Sequence, residues 1–399
     1  MVWLVALVQL VNVLDFMMVM PLGPDFARAL GIPEARLGIV GGSYTAAAAA
    51  AGLICSRFLD RFDRRSALAV TMLGLAVGTF AGGHAVDLDT LVAARVVAGA
   101  FGGPATALSL AIVADVVPPD RRGRAMSVVS AAFSVSAVFG VPTGLALARL
   151  GSWQTPFFAI AGVGVVVTLV AFTLLPPLCG HLSGFRTQRA SARELVRRPA
   201  MALSLAAAGA LTFSIFLVVP NLSAFVQHNL AYPRSRLELL YLVGGTASFA
   251  VLRATGVMVD RVGAARVAAF GTAVLIATVA LGFLPSPPLL PVVVTFVLFM
   301  STASLRTVPL QTLASRLPAP AERAQFMALQ SAVQHVSSSL GAFVAAEILA
   351  QGPGGTLRHM PAVLILSMAT TLFVPVLLWQ VEVRVPASPQ PGSAIGMQR

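Results

Sequence analysis

The 399-residue chain is 57% hydrophobic and 11% charged, with a mean hydropathy of +0.87. Soluble domains carry roughly a quarter charged residues, so there is too little polar surface here for a water-borne globule, and lipid must be the solvent for most of the chain. The formal charge of +12 comes from 27 basic residues, all Arg, set in short loops between apolar runs, a pattern that fits membrane topology and argues against nucleic-acid binding.

The chain opens MVWLVALVQLV, with no basic leader region and no small-residue cleavage site. This reads as a first membrane span rather than a removable signal, and its abrupt start leaves room for a short native tail ahead of it. A bilayer core of about 30 Å takes roughly 20 apolar residues at about 1.5 Å each. With Pro, Gly and charge clusters as breaks, spans are predicted at 2–22, 36–57, 66–85, 90–113, 125–148 and 155–176, then at 200–220, 236–258, 266–284, 289–313, 325–349 and 360–381. The fold class is therefore all-α and membrane-spanning, and helices of this length argue against a β-barrel. The predicted organisation is a six-helix bundle over 1–177, a cytoplasmic linker over 178–199, a second six-helix bundle over 200–385 and a flexible tail over 386–399. In the linker, Ser191 and Glu194 have capping-box spacing, which predicts a short interfacial helix, with a disordered basic linker as the alternative.

Orientation follows from the Arg residues. With both termini inside, 18 fall in cytoplasmic segments and six on the opposite side, while Arg95, Arg253 and Arg306 lie within spans. That bias places both termini in the cytoplasm of a cell (inner) membrane. Cys55 and Cys179 then lie on the reducing side, and no disulfide is expected.

The halves repeat at an offset of 200. Pro33 pairs with Pro233, Arg36 with Arg236, Leu37 with Leu237, Asp60-Arg61 with Asp260-Arg261, Ala114 with Ala314 and Pro118 with Pro318. Loop matches of this kind are not cheaply produced by composition. Two parallel repeats imply a transporter whose site lies between them at the bilayer midplane.

The loop SRFLDRFDRR (56–65) resembles the signature of the major facilitator superfamily, G-x-x-x-D-R/K-x-G-R-R/K. Asp60, Arg61, Arg64 and Arg65 match it, while Ser56 and Asp63 replace Gly; Gly256, Asp260, Arg261 and Gly263 form the second copy. LVAARVVAGAFGGP (91–104) resembles a second family motif through Arg95 and Gly99, with Ala98 in place of Gln. VPPDRRGRAMS (117–127) resembles the loop that follows. FGVPTG (139–144), with Gly140, Pro142 and Gly144, resembles the motif of drug and sugar exporters in this superfamily, and SWQTPFF (152–158) continues the likeness. The resemblance covers the whole chain. It implies the twelve-helix fold of two pseudo-symmetric bundles, and a latch in which Asp60 and Arg64 hold the cytoplasmic ends together while the site faces outward. Positive-inside topology and helix capping alone are the plainer account of the same charges.

A charge at mid-bilayer costs roughly 2.5–3.5 kcal/mol even on the lenient insertion scale, so each needs a reason. Gln9, Asn12 and Asp15 fall on one face of the first span. The resemblance makes Asp15 the proton site, with Arg95 in the fourth span lining the cavity and tuning it; the alternative is a permanent pair that fixes helix packing. Arg95 could instead reach the outer interface, and Arg253, near a helix end, is expected to do so at the inner one. His335 in the eleventh span is a second proton candidate or a hydrogen-bonded core His. Asn12, Met18, Arg306, Gln330 and Gln334 are candidate cavity residues, with Met17, Met20 and Phe213 as apolar wall. Ser127, Ser130 and Ser134 share a face of the fifth span, either toward the cavity or for close packing.

No Walker loop, dinucleotide fingerprint or metal-ligand spacing is present, so no cofactor, metal or enzymatic activity is expected. The reading is a monomeric secondary transporter that exports amphipathic or drug-like molecules in exchange for protons. A sugar or metabolite exporter and a uniporter are its nearest rivals, and a non-transporting membrane sensor is the alternative of another class.

Overall fold

The computed structural model describes residues 1–55, 61–118, 122–178, 192–319 and 322–384. The first span is broken: α1 (Val2–Val19) gives way at Met20–Leu22 to α2 (Gly23–Leu30). Next come α3 (Leu37–Cys55), α4 (Arg64–Gly83) and α5 (Leu88–Val116). The fifth span is α6 (Arg122–Val135), a π turn at Ser136–Gly140 and α7 (Val141–Leu150), and the sixth is α8 (Thr155–Leu174). Pro142 has no amide hydrogen, which fits the widened turn just before it.

The second half follows α9 (Ala192–Arg197), a short helix where one was expected in the linker; Ser191 lies outside the described residues. Its spans are α10 (Pro199–Ala224, prolonged by a π turn to Asn229), α11 (Leu237–Val262), α12 (Ala264–Thr278, prolonged to Phe283), α13 (Val292–Arg316), α14 (Arg323–Ile348) and α15 (Met360–Glu382). Eleven described stretches are long and apolar enough to cross a membrane. The twelfth is α14, 26 residues long, whose polar stripe lowers its hydropathy. This is the all-α, twelve-helix architecture predicted. A two-stranded ribbon, β1 (Ala350–Gln351) against β2 (Leu357–Arg358), closes the connection before α15.

The repeat is visible in the backbone. Pro33 and Pro233 each start a 3₁₀ turn, at 34–36 and 234–236, closed by Arg36 N to Pro33 O at 2.9 Å and Arg236 N to Pro233 O at 3.0 Å. Each turn leads directly into a helix, at Leu37 and at Leu237.

The most extensive contacts between the halves run along α3 with α14 and along α11 with α7 and the π turn before it. On α3, Gly38 and Gly42 face Ala342, Phe343 and Ala346 of α14, and a Cβ on Gly38 would strike the Ala342 carbonyl. On the other pair, Gly245 of α11 lies against the backbone of Ala137 and Val138. Small residues four apart let helix backbones approach without interlocked side chains.

Candidate functional site

In the first half, four helices converge on one buried carboxylate. Asp15 of α1 and Arg95 of α5 are both essentially fully buried. Their contact is bidentate, Nη2 donating to Oδ2 at 2.6 Å and Nη1 to Oδ1 at 3.2 Å. Thr79 of α4 donates its hydroxyl to Oδ1 at 2.6 Å. The Tyr44 ring of α3 lies under the guanidinium, 4.8 Å from Cζ to centroid, where the negative ring face attracts a cation. Tyr44 Oη donates to Asn12 Oδ1 at 3.2 Å, and Asn12 Nδ2 donates to Gly102 O and Thr106 Oγ1 at 2.9 and 2.7 Å. Gln9 ends the row, 3.5 Å from Thr106. Gln9, Asn12 and Asp15 thus form one polar face, and it is directed at α5.

The FGVPTG segment of the fifth span packs against α1. A Cβ on Gly140 would meet the Leu14 side chain, and one on Gly144 would meet Met18 Cγ at 2.8 Å. Leu14 and Met18 flank Asp15 and are four residues apart, as are the two glycines, so one ridge fits one groove.

The structure keeps several expected site residues apart from this group. His335 stays with its own helix in the second half, Nδ1 lying 2.9 Å from Ser331 O. Three expected cavity residues are held inside single halves: Asn12 by the bonds above, Met18 against Gly144, and Arg306, which donates to Thr302 O at 3.2 Å and Thr371 Oγ1 at 2.6 Å. Gln330 Nε2 donates to Gln311 at 3.3 Å and Gln334 is half-buried. Arg253 is exposed over the Phe249 ring at 5.3 Å.

Of the latch residues, Asp60 lies outside the described residues. Arg64 Nε meets Asp115 at 3.2 Å, and Arg65 donates to Leu175 O at 3.2 Å, both within the first half. Asp260 stands 3.9 Å from Arg316 within the second half, and Arg261 is exposed. Asp63, found where the signature has Gly, caps α4. It accepts from Arg65 N, Ser66 N and Leu178 N at 3.4, 3.2 and 2.6 Å. Burial pushes its carboxyl up, but these amides and the Ser66 hydroxyl outweigh that and hold it below the usual carboxylate range.

Among the described residues, Arg234–Asp25, Arg149–Glu238 and His228–Glu34 cross between halves on the face opposite the chain ends. Arg234 grips Asp25 with Nε at 2.9 Å and Nη2 at 2.6 Å. Arg149 Nε donates to Glu238 at 2.7 Å. His228 Nε2 stands 2.9 Å from Glu34 Oε1, and Glu34 N donates to Gln351 at 3.1 Å. These were not singled out from the sequence. The signal available was that Arg149 and Arg234 belong to the few Arg of that face, which also carries Asp25, Glu34 and Glu238.

Two repeated bundles joined along a seam, with an acid–base pair buried beside it, define a polytopic membrane transporter. The family is shown by comparison: the Major Facilitator Superfamily profile matches residues 5–342 and, in a second placement, 205–396, and the chain belongs to that superfamily. Among curated relatives, it is 27% identical over 345 residues to a chloramphenicol resistance protein of Streptomyces lividans, covering 83% of this chain and 84% of that one. It is also 27% identical to the purine ribonucleoside efflux pump NepI of Escherichia coli O6:K15:H31, over 60% of this chain and 62% of that one. Solved structures share the fold at 16% identity: a D-xylose–proton symporter (TM-score 0.75; 97% and 99% of the two chains) and a bacterial homologue of the human lysosomal transporter Spinster, inward-facing and occupied (TM-score 0.74; 98% of each).

Proposed function

We infer that this transporter is a proton-coupled exporter of small amphipathic, drug-like molecules. It would work as a monomer by alternating access in the inner membrane, with both termini in the cytoplasm. The observation that carries the reading is the Asp15–Arg95 pair, a charge pair sunk in the first half, with Asp15 accepting from Arg95 of α5 and Thr79 of α4 and the Tyr44 ring of α3 under the guanidinium. Proton uptake by Asp15 would leave Arg95 without a counter-ion, an expensive state in a low-dielectric interior. Protonation must therefore be accompanied by parting of the pair and a change in how α1 and α5 sit together. That links a proton to a movement of the helices beside the seam. The contacts between halves on the face away from the chain ends fit a state open toward the cytoplasm.

The test is drug export into an imposed proton gradient in proteoliposomes, with chloramphenicol as first probe because a relative is a resistance protein for it. Asp15→Asn is expected to abolish gradient-driven movement while leaving exchange without a gradient measurable. Gradient-driven export that survives in Asp15→Asn would leave the pair with the packing role alone. Similarity to NepI favours a second reading, nucleoside-like metabolite export, which the same assay addresses with a ribonucleoside.

A further inference from the structure

Phe16 of α1 and Phe216 of α10 meet across the seam with ring centroids 6.0 Å apart and planes 26° from parallel. They are 200 residues apart, the offset of the repeat, so the contact joins equivalent positions of the two halves and lies at their pseudo-twofold axis. Phe16 falls near the middle of residues 2–30 and Phe216 near the middle of 199–229, which puts the pair near the bilayer midplane. Both rings are only half-buried. Tyr44 lies 5.2 Å from Phe16, and its own ring carries Arg95, so an aromatic path leads from the axis to the Asp15 pair.

We propose that Phe16 and Phe216 form an aromatic clamp that takes a planar aromatic ring of the substrate between them. The proposal deepens the export reading and rests on it only for the seam being the substrate's route. Repeat transporters hold their ligands at the midplane between the repeats, and here that point is occupied by two π faces rather than by polar side chains. A ring sandwiched at van der Waals contact needs about 7–8 Å between its neighbours, twice a contact of about 3.5–4 Å. The present 6.0 Å is short of that by about 1–2 Å, an opening that a small rocking of one half supplies. A bound ring would then press on Phe16 and, through Tyr44, on the cation beside Asp15.

The experiment measures binding, not transport, by the full chain in nanodiscs. It compares 2-naphthol with decahydro-2-naphthol, which keeps the hydroxyl and fused-ring size but has no π face. Each aromatic pair is worth about 2–10-fold in affinity, so with two ring contacts wild type should prefer 2-naphthol by about 4–100-fold. Phe16→Leu and Phe216→Leu keep apolar bulk, and each, losing one ring contact, should lower that preference by about 2–10-fold while changing decahydro-2-naphthol binding less than about twofold. Equal binding of the two compounds to wild type, no binding of 2-naphthol, or a preference undiminished in both Leu variants would overturn the clamp. Ring preference without proton-driven export would sink the export reading and leave the clamp standing.

Discussion

At the scale of single residues, the Asp15–Arg95 pair dominates, because its burial turns a common interaction into a mutual dependence. Exposed ion pairs are worth about 0–1 kcal/mol, whereas removing one member of a buried pair typically costs about 3–5 kcal/mol by stranding the other charge. Arg95→Gln should therefore lower the thermal unfolding midpoint in detergent markedly. The double variant Asp15→Asn/Arg95→Gln should recover most of the loss, since neither charge then remains. A double variant as unstable as Arg95→Gln would mean that stranded charge is not the cause.

At the scale of elements, Asp63 and Gly263 show one junction built in two ways at equivalent positions of the repeat. Asp63 caps α4 with its own carboxylate and ties in Leu178. Gly263 adopts φ +100°, open to glycine at little strain, and Glu382 of α15 supplies the cap to α12 through Ala264 N and Ala265 N at 2.7 and 3.0 Å. Asp63→Ala should cost about 1 kcal/mol. Because the folded Asp63 carboxyl lies below its usual range, its contribution is fully present above about pH 4, the unfolded value, and is lost as pH falls through the lower folded value. The gap in unfolding midpoint between wild type and Asp63→Ala should thus be constant from pH 7 to 5 and shrink below about 4. The α1 contact makes a steric prediction: Gly144→Leu would overfill the space of Met18, destabilising by about 1–3 kcal/mol or more. Loss of monodisperse protein on size exclusion checks it.

At the scale of the whole molecule, the seam is closed on the face away from the chain ends by pairs that are strong in geometry but partly exposed. Side-chain exposure is 23% for Arg234 and 52% for Arg149, so each pair contributes at most about 1 kcal/mol. Reversing a 1:99 equilibrium takes about 5.5 kcal/mol. Removing two pairs with Asp25→Asn and Arg149→Gln should therefore shift the population toward opening by up to about 30-fold without locking it open. A cysteine at Ala342, buried against Gly38, reports this in a background with Cys55 and Cys179 replaced by Ser. Its maleimide labelling should accelerate in the double variant. An unchanged rate would show that the small-residue packing of α3 on α14, not the ion pairs, holds this face shut.

Much of this was legible in the chain itself. Apolar runs of membrane length gave the spans, and the Pro33 and Pro233 matches marked where both halves restart a helix. The cost of an intramembrane charge singled out Asp15 and Arg95 before their contact was known. These signals are local: hydropathy, turn chemistry and desolvation act on a few neighbouring residues. The tertiary structure alone decided which groups meet. Whether Asn12 and Met18 face a cavity or a neighbouring helix depends on how far α1 is rotated about its axis, which is set by Gly140 and Gly144 of the fifth span, more than a hundred residues away. The same rotation brings Phe16 onto Phe216, a match that was present at the repeat offset yet acquires meaning only when the two rings touch.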